Sequence, residues 1–267
     1  MLLKTVATAC MLSRKQKKLL KRTALGLLAA ILTGAAVLIL LQWLPYRKAK
    51  YTRYPAFGIS IPGGYDIHGI DVSKYQSVIA WDEVKKMSVK NIQLGFAFIK
   101  ATQGISTDDP QFKRNWKKSR EAGLVRGAYH FFLANQDGRR QAENFIDKVE
   151  LEPGDMPPVL DVEQLNGVSP EQLRTEAHKW LQAVESRYGI KPVIYTNVDF
   201  YNRYLGSGFD DYPLWAAHYY QPEQPRISRE WTFWQHSDEG RVNGIVSKVD
   251  FNVFNGDSAD FRNLLIR

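Results

Sequence analysis

The chain has 267 residues and a formal net charge of +8, a length that suits one barrel-sized domain with an appendage. Residues 1–65 hold 11 of the 36 Lys and Arg residues and no acid, which leaves 25 basic against 28 acidic residues in 66–267; the larger part therefore has no positive field, and we expect no nucleic-acid partner. The only cysteine, Cys10, lies in the N-terminal part, so 66–267 is built without disulfides.

The first predicted element is a transmembrane helix. Residues 23–44 carry no charge over 22 residues, enough at about 1.5 Å per residue to cross a hydrocarbon core of about 30 Å. Seven basic residues precede this span and four follow it closely, which predicts a single-pass protein with 1–22 in the cytoplasm and everything after the helix outside. A cleaved signal peptide is the alternative, but its apolar region is normally about 7–15 residues long, and no small-x-small site follows here.

The next segment, 45–65, contains Pro45, Pro55, Pro62, Gly63 and Gly64 without a clear period. This composition predicts a short extended linker rather than a packed element. We therefore expect the globular domain to span 66–267.

Eight apolar, strand-like runs follow, and helix-like stretches separate the first five and follow the fifth. This order predicts an α/β fold, an irregular TIM-like β/α barrel of about five βα units followed by three strands. The predicted strands are 67–72, 95–101, 125–132, 158–163, 192–196, 214–219, 231–236 and 249–254. The predicted helices are 81–89, 110–122, 138–149, 170–188 and 198–205.

Two acids, Asp161 and Glu163, end the fourth predicted strand in the sequence PVLDVEQ. Side chains at i and i+2 of a strand share a face, so these carboxyl groups should lie roughly 6.5–7 Å apart. Separations of this order serve glycoside hydrolysis, in which one carboxyl group protonates the leaving oxygen and another stabilises the cationic side of the sugar ring. A pair of solvated acids where a strand meets its loop is the alternative, and it is the commoner one for an isolated Asp-x-Glu.

Further polar residues lie late in other predicted strands, and in a barrel the carboxyl ends of the strands meet at one mouth. Asp71 ends the first strand and Asp250 lies in the eighth, so four acids from three strands would converge. Repulsion between such acids raises the pKa of a general acid, but it leaves open which group keeps the proton. The accompanying residues are Tyr129, Tyr195, Trp215 and Gln235.

Other titratable residues at the strand ends are expected to be structural. The five histidines show no compact metal-ligand spacing, so we expect no metal and no cofactor. Lys100, in FIKATQG, is expected to form an ion pair with one of the acids at the mouth.

Eight short motifs run in chain order through 66–264. They are HGIDVSKYQ, FIKATQG, GAYHFF, PVLDVEQ, PVIYTN, PLWAAHY, FWQHS and VDFNVFNG. In this order they resemble the lysozyme-like muramidases of glycoside hydrolase family 25. The resemblance implies cleavage of the β-1,4 bond between N-acetylmuramic acid and N-acetylglucosamine in peptidoglycan, on an irregular barrel of five βα units and three strands.

The resemblance also implies roles for the candidate residues, by their positions in the motifs. Glu163 resembles the general acid, and Asp161 the partner that steadies the positive charge or the substrate acetamido group. Asp71 and Asp250 resemble further active-site acids, the first catalytic and the second substrate-binding. The sugar-contacting residues would be Tyr129, Tyr195, Trp215 and Gln235.

The expected partners are peptidoglycan glycan strands and, through the N-terminal helix, the bacterial cell membrane, with the catalytic domain outside the cytoplasm. Two alternatives remain: a catalytically silent peptidoglycan-binding module, and a hydrolase of another N-acetylated glycan such as chitin. A binding module has no need of all four acids, which argues against the first. Product analysis on defined oligosaccharides distinguishes the second alternative from a muramidase.

Overall fold

The computed structural model describes residues 14–43, 51–221 and 223–267, in two compact units within 1–48 and 49–267. The described part of the first unit is one helix, α1 (Arg14–Trp43). Its segment Lys18–Ile39 is long and apolar enough to cross a membrane, a test that a signal sequence also passes. The helix extends ahead of the predicted span 23–44 because Lys and Arg are good helix formers. The predicted cytoplasmic residues 1–13, residue 44 and the linker residues 45–50 lie outside the described residues.

The second unit contains the predicted barrel. In chain order the strands are β1 (Thr52–Tyr54), β2 (Ile59–Ile61), β3 (His68–Val72), β4 (Ser88–Val89), β5 (Ile92–Gln103), β6 (Thr107–Asp108), β7 (Val125–Phe131), β8 (Val159–Asp161), β9 (Val193–Asn197), β10 (Leu214–Ala217), β11 (Phe233–Gly240) and β12 (Val249–Phe254). Eight of them, β3, β5 and β7 to β12, pair with their neighbours in chain order, and the pairing of β12 with β3 closes the barrel. An eight-stranded α/β barrel is therefore confirmed.

Helices cover the first five barrel strands, as predicted, and end where local signals indicate. The longest begins after Ser169, whose side chain accepts a hydrogen bond from the Gln172 amide, and ends at Gly189 in the left-handed conformation with φ +70°, which favours glycine. The predicted helix 198–205 is α-helical only at its start and continues as a π-helical turn over Tyr201–Leu205. The helices of this unit are α2 (Trp81–Lys86), α3 (Phe112–Glu121), α4 (Gly138–Ile146), α5 (Pro170–Tyr188), α6 (Val198–Phe200) and α7 (Ser258–Leu264).

The predicted irregular second half of the barrel includes one reversed strand, β12, which runs antiparallel to both β11 and β3. Residues 241–248 join β11 to β12, and this connection is too short for the crossover of a dozen or more residues that a parallel pair needs. As a result, the start of β12 lies at the same mouth as the carboxyl ends of the other barrel strands. Asp250 reaches the mouth for this reason.

The predicted linker 45–65 is wrong over its described part. β1 and β2 form an antiparallel hairpin, and the turn residue Phe57 is fully buried against Phe251 of β12 with ring centroids 5.2 Å apart. The aromatic ring of Tyr65 packs against Trp234 of β11 at 6.0 Å. The hairpin therefore covers the outer faces of β11 and β12, which lack the helices that cover the earlier strands.

Aromatic side chains fill the barrel interior below the mouth. Phe96 and Phe98 of β5 are fully buried there, and the Phe98 ring stacks on Trp215 with centroids 4.3 Å apart. A Cβ atom at Gly69 would lie 2.4 Å from the Phe96 ring, so the neighbouring strand needs glycine at this position. The packed interior leaves only the mouth open to polar groups.

Candidate active site

All eight predicted site residues line one cavity of about 270 Å³ at the barrel mouth. They come from seven strands or strand ends, so the convergence depends on barrel closure. The predicted residues in the cavity wall are Asp71, Tyr129, Asp161, Glu163, Tyr195, Trp215, Gln235 and Asp250. Lys100, which was predicted at the mouth as an ion-pair partner, also lines it, as do Tyr75 and Tyr219, which are not among the predicted site residues.

Asp71, the penultimate residue of β3, is a buried carboxylate with two side-chain donors. Gln235 Nε2 and Asn252 Nδ2 each donate to Asp71 Oδ2 at 2.8 Å. Burial raises the pKa of Asp71 to about 6, while these two hydrogen bonds oppose the rise. They do so because N–H donors stabilise the ionised form of a carboxyl group.

Gln235 is in turn held by two tyrosines. The hydroxyl groups of Tyr195 and Tyr219 donate to Gln235 Oε1 at 2.8 and 2.6 Å. Gln235 and Tyr195 are both buried, so they form a wall behind Asp71.

Trp215 makes the corresponding contact to Asn252, its indole N–H donating to Asn252 Oδ1 at 2.8 Å. Sequence reasoning missed Asn252, which is fully buried. The signal was present: Asn252 lies two residues after Asp250 in VDFN, and i, i+2 positions of a strand share a face. Tyr219, which ends the predicted strand 214–219, is a further cavity residue outside the predicted site.

Asp161 and Glu163 both line the cavity, although β8 ends at Asp161 and Glu163 lies just beyond it. Burial, and then the neighbouring Glu163 carboxyl, raises the pKa of Asp161 well above its ordinary value. Burial also raises the pKa of Glu163, which is only half-buried. Asp161 Oδ1 is buried and accepts no hydrogen bond from the described residues. The pair can therefore hold a proton at a higher pH than free carboxyl groups can, with Glu163 the more accessible member.

Lys100 lies beside these acids without the predicted ion pair. Its Nζ donates to Gln103 Oε1 at 2.8 Å and lies 4.5 Å from the centre of the Phe131 ring. No carboxylate oxygen in the described ranges comes within 4.0 Å of it. Burial lowers the pKa of Lys100, and the charge of Asp161 opposes this. Lys100 therefore influences the acids through the electrostatic field of its charge and not through direct contact.

Asp250 and Tyr129 complete the polar part of the cavity. Burial, and then the charges of Asp71 and Asp238, raises the pKa of Asp250 to about 9. Burial, and then the charge of Asp71, raises the pKa of the Tyr129 hydroxyl well above its ordinary value. Both side chains are therefore neutral hydrogen-bond donors at neutral pH.

The buried histidine His130 makes structural contacts through both ring nitrogens. His130 Nδ1 lies 2.7 Å from Thr102 Oγ1, its Nε2 lies 3.2 Å from Gln141 Oε1, and its ring stacks on Trp180. Burial lowers the pKa of His130 to about 3, so the imidazole stays neutral. Across the described residues, His, Cys, Asp and Glu form no group of three or more that could hold a metal ion.

A second, larger cavity of about 690 Å³ lies at the opposite end of the barrel strands. Its main cation, Arg229, donates to the backbone carbonyls of Phe209, Asp210 and Tyr212. These bonds tie down the loop before β10. None of the predicted site residues lines the larger cavity, so the mouth is the candidate site.

An eight-stranded barrel with four acids and an aromatic wall at one mouth has the parts of a glycoside hydrolase, namely carboxyl groups that share protons beside rings that suit sugar faces. The sequence profile of glycosyl hydrolases family 25 matches residues 70–245, and the chain belongs to this family.

Individual relatives agree with this assignment. YegX of Escherichia coli, described as an uncharacterized protein, is 50% identical over 211 residues, which cover 79% of this chain and 76% of YegX. Lysozyme M1 of Streptomyces globisporus is 36% identical over 212 residues, which cover 72% of this chain and 69% of that protein. The structure of a family 25 glycosyl hydrolase from Bacillus anthracis matches with a TM-score of 0.70 at 32% identity and covers 79% of this chain and 98% of that one. The chain is thus a glycoside hydrolase of the lysozyme, or muramidase, class.

Proposed function

We propose that this chain is a membrane-anchored muramidase that hydrolyses the β-1,4 bond between N-acetylmuramic acid and N-acetylglucosamine in peptidoglycan. The observation that carries the proposal is the convergence of four acids on one cavity, Asp71, Asp161, Glu163 and Asp250. Burial raises the pKa of each of them. A binding module gains nothing from acids that share protons, whereas hydrolysis of a glycosidic bond requires them.

Glu163 acts as the general acid in this proposal. Its carboxyl group is half-buried at the cavity wall, which leaves it accessible to the oxygen of a leaving sugar. Its raised pKa favours the protonated form that a general acid requires.

Asp161 orients the substrate. Its free Oδ1 atom lies in the same cavity, and the acceptor suits the N–H of the substrate's 2-acetamido group. The acetamido oxygen then attacks the anomeric carbon as Glu163 protonates the leaving oxygen, and water restores the original anomer. This substrate-assisted route is a known exception to direct attack by a protein carboxylate.

The remaining predicted residues supply negative charge, hydrogen bonds or the shape of the cavity. Asp71 is the catalytic carboxylate that carries negative charge. Asp250 and Tyr129 donate hydrogen bonds to sugar oxygens. Trp215, Tyr195 and Gln235 form the wall behind them and limit the depth of the cavity.

The N-terminal helix anchors the protein in the bacterial cell membrane. The apolar segment Lys18–Ile39 and the excess of basic residues before it support a single span with a cytoplasmic N-terminus. The domain 66–267, with the hairpin before it, then lies outside the cytoplasm, where peptidoglycan is found.

The test is mass spectrometry of products released from purified peptidoglycan by the full chain in detergent, with Glu163→Gln as the matched inactive control. Fragments ending in reducing N-acetylmuramic acid are expected from the wild type only. Binding without release would identify a silent binding module. Release from chitin oligosaccharides but not from peptidoglycan would identify a different glycan as the substrate.

A further inference from the structure

Two side-chain amides donate to one oxygen of Asp71. Gln235 Nε2 and Asn252 Nδ2 both bind Oδ2 at 2.8 Å, and both amide side chains are buried. An oxygen that receives two N–H groups in a buried site carries negative charge rather than a proton. Any proton on Asp71 must therefore sit on Oδ1.

The orientation of the Asn252 amide is set by Trp215. An indole N–H can only donate, and it points at Asn252 Oδ1 at 2.8 Å. Asn252 Oδ1 is therefore the acceptor on that side, and Nδ2 is left facing Asp71. The tyrosine hydroxyls that bind Gln235 Oε1 can donate or accept, so they constrain Gln235 less strictly.

We infer that Asn252, held in one orientation by Trp215, is a positioning residue that keeps Asp71 an ionised acceptor and so keeps the protons of the site on the neighbouring acids. The inference rests on the proposed function, because Asp71 matters only if the mouth performs hydrolysis. Asn252 itself is fully buried and acts through Asp71.

The electrostatic surroundings of Asp71 agree with this division. Charge on Asp71 raises the pKa of both Asp161 and Asp250. Lys100 opposes the rise at Asp161 and Glu163 and does not contact Asp71. The titratable groups that face Asp71 from the other strands are Asp161, Glu163, Asp250, Tyr129, Tyr195 and Tyr219.

Loss of the Asn252 donor should therefore raise the pKa of Asp71, which is about 6 in the wild type. Below its pKa, Asp71 is protonated and the enzyme loses activity, so the acid limb of kcat/KM should move to higher pH. A single hydrogen bond to a charged group corresponds to a shift of about 1–2 pH units.

The experiment compares pH profiles of kcat/KM for soluble peptidoglycan fragments, using the full chain in detergent. Asn252→Ala should move the acid limb up by about 1–2 pH units, and Trp215→Phe should move it less and in the same direction. The double variant should match Asn252→Ala, because Trp215 acts through Asn252. Val253→Ala is the matched control, a buried residue on the same strand with no contact to Asp71; it should lower the melting temperature and leave the acid limb unchanged.

A folded Asn252→Ala variant with an unshifted acid limb would overturn the inference while leaving the proposed function intact. If that variant does not fold, the Trp215→Phe profile decides. If the wild type releases no product from peptidoglycan, the proposed function fails, and a carbon-13 NMR titration of the Asp71 carboxyl group decides the inference without activity. Assigned with Asp71→Asn, this titration should show a midpoint near 6 in the wild type and a higher one in Trp215→Phe; equal midpoints would overturn it.

Discussion

Asp71 and Asp250 lie directly opposite each other in the antiparallel pairing of β3 and β12. Like charges at opposed cross-strand positions repel, and this pair is buried or half-buried at the mouth. The two acids differ in how their negative charge is stabilised, because both amide donors bind Asp71 and neither binds Asp250. Asp71 is left as the charged partner and Asp250 as the neutral one.

The first prediction concerns stability and pH. Asp250→Asn should raise the melting temperature relative to wild type by an amount that grows between about pH 4 and pH 9. Asp250 ionises near pH 4 in the unfolded chain, whereas its pKa in the folded protein is about 9. Between these values the folded state holds a proton that the unfolded state has released, so this group lowers stability as the pH rises.

Circular dichroism melts at pH 4, 6 and 8 would measure the difference, with the exposed Asp211→Asn as control. A gain for Asp250→Asn that stays constant across these pH values would contradict the prediction.

The second prediction concerns the general acid. Glu163→Gln should lower the rate of peptidoglycan hydrolysis by about 10²–10⁴-fold while retaining fold and sugar binding, because the amide keeps the shape and lacks the transferable proton. Hydrolysis and binding to cell-wall fragments would be measured on the same preparation. A folded variant with more than about a tenth of the wild-type rate would show that another group is the acid.

The third prediction concerns Asp161. Asp161→Asn should lower turnover by about 10²-fold or more with Glu163 intact, because the amide is a weaker acceptor for the acetamido N–H. Substrate assistance also requires that the first-formed product keeps the anomeric configuration of the substrate. Proton NMR during early turnover reports this configuration. An inverted first product would exclude assistance and make one of the other acids a general base acting on water.

The fourth prediction concerns the N-terminal hairpin. Phe57→Ala should lower the free energy of unfolding by about 3–5 kcal/mol, because Phe57 is fully buried against the outer face of the barrel. Val246→Ala, at a side chain that is 99% exposed, should change it by less than about 0.5 kcal/mol. Denaturant titrations of both variants would show whether the hairpin is part of the folded domain. Equal, small effects would mean that it is a tether.

The fifth prediction concerns topology. Reporter fusions after Tyr65 should be active only for a reporter that works outside the cytoplasm, because the basic residues retain the N-terminus inside. The protein should resist carbonate extraction. A carbonate-extractable mature protein that begins downstream of residue 44 would show instead that the helix is a cleaved signal.

Local chain geometry was sufficient to predict the barrel strands and the pair Asp161 and Glu163. Strand periodicity places alternate side chains on one face whatever the rest of the molecule does, and alternating strands and helices leave few topologies open. The hairpin escaped detection because its strands are three residues long and lie among prolines and glycines. They pack against the faces of β11 and β12 that no helix covers.

The sequence by itself determined that Asp71, Asp161 and Glu163 reach the mouth, because they lie late in their strands or just beyond them. Asp250, near the start of β12, reaches it only because that strand runs antiparallel. The tertiary structure decided how these acids share their protons. The groups that stabilise charge on Asp71 lie 164 and 181 residues away in the chain, and barrel closure brings them within hydrogen-bonding distance. Burial raises the pKa values, and burial is a property of the whole packed barrel, so neither effect can be read from a strand alone.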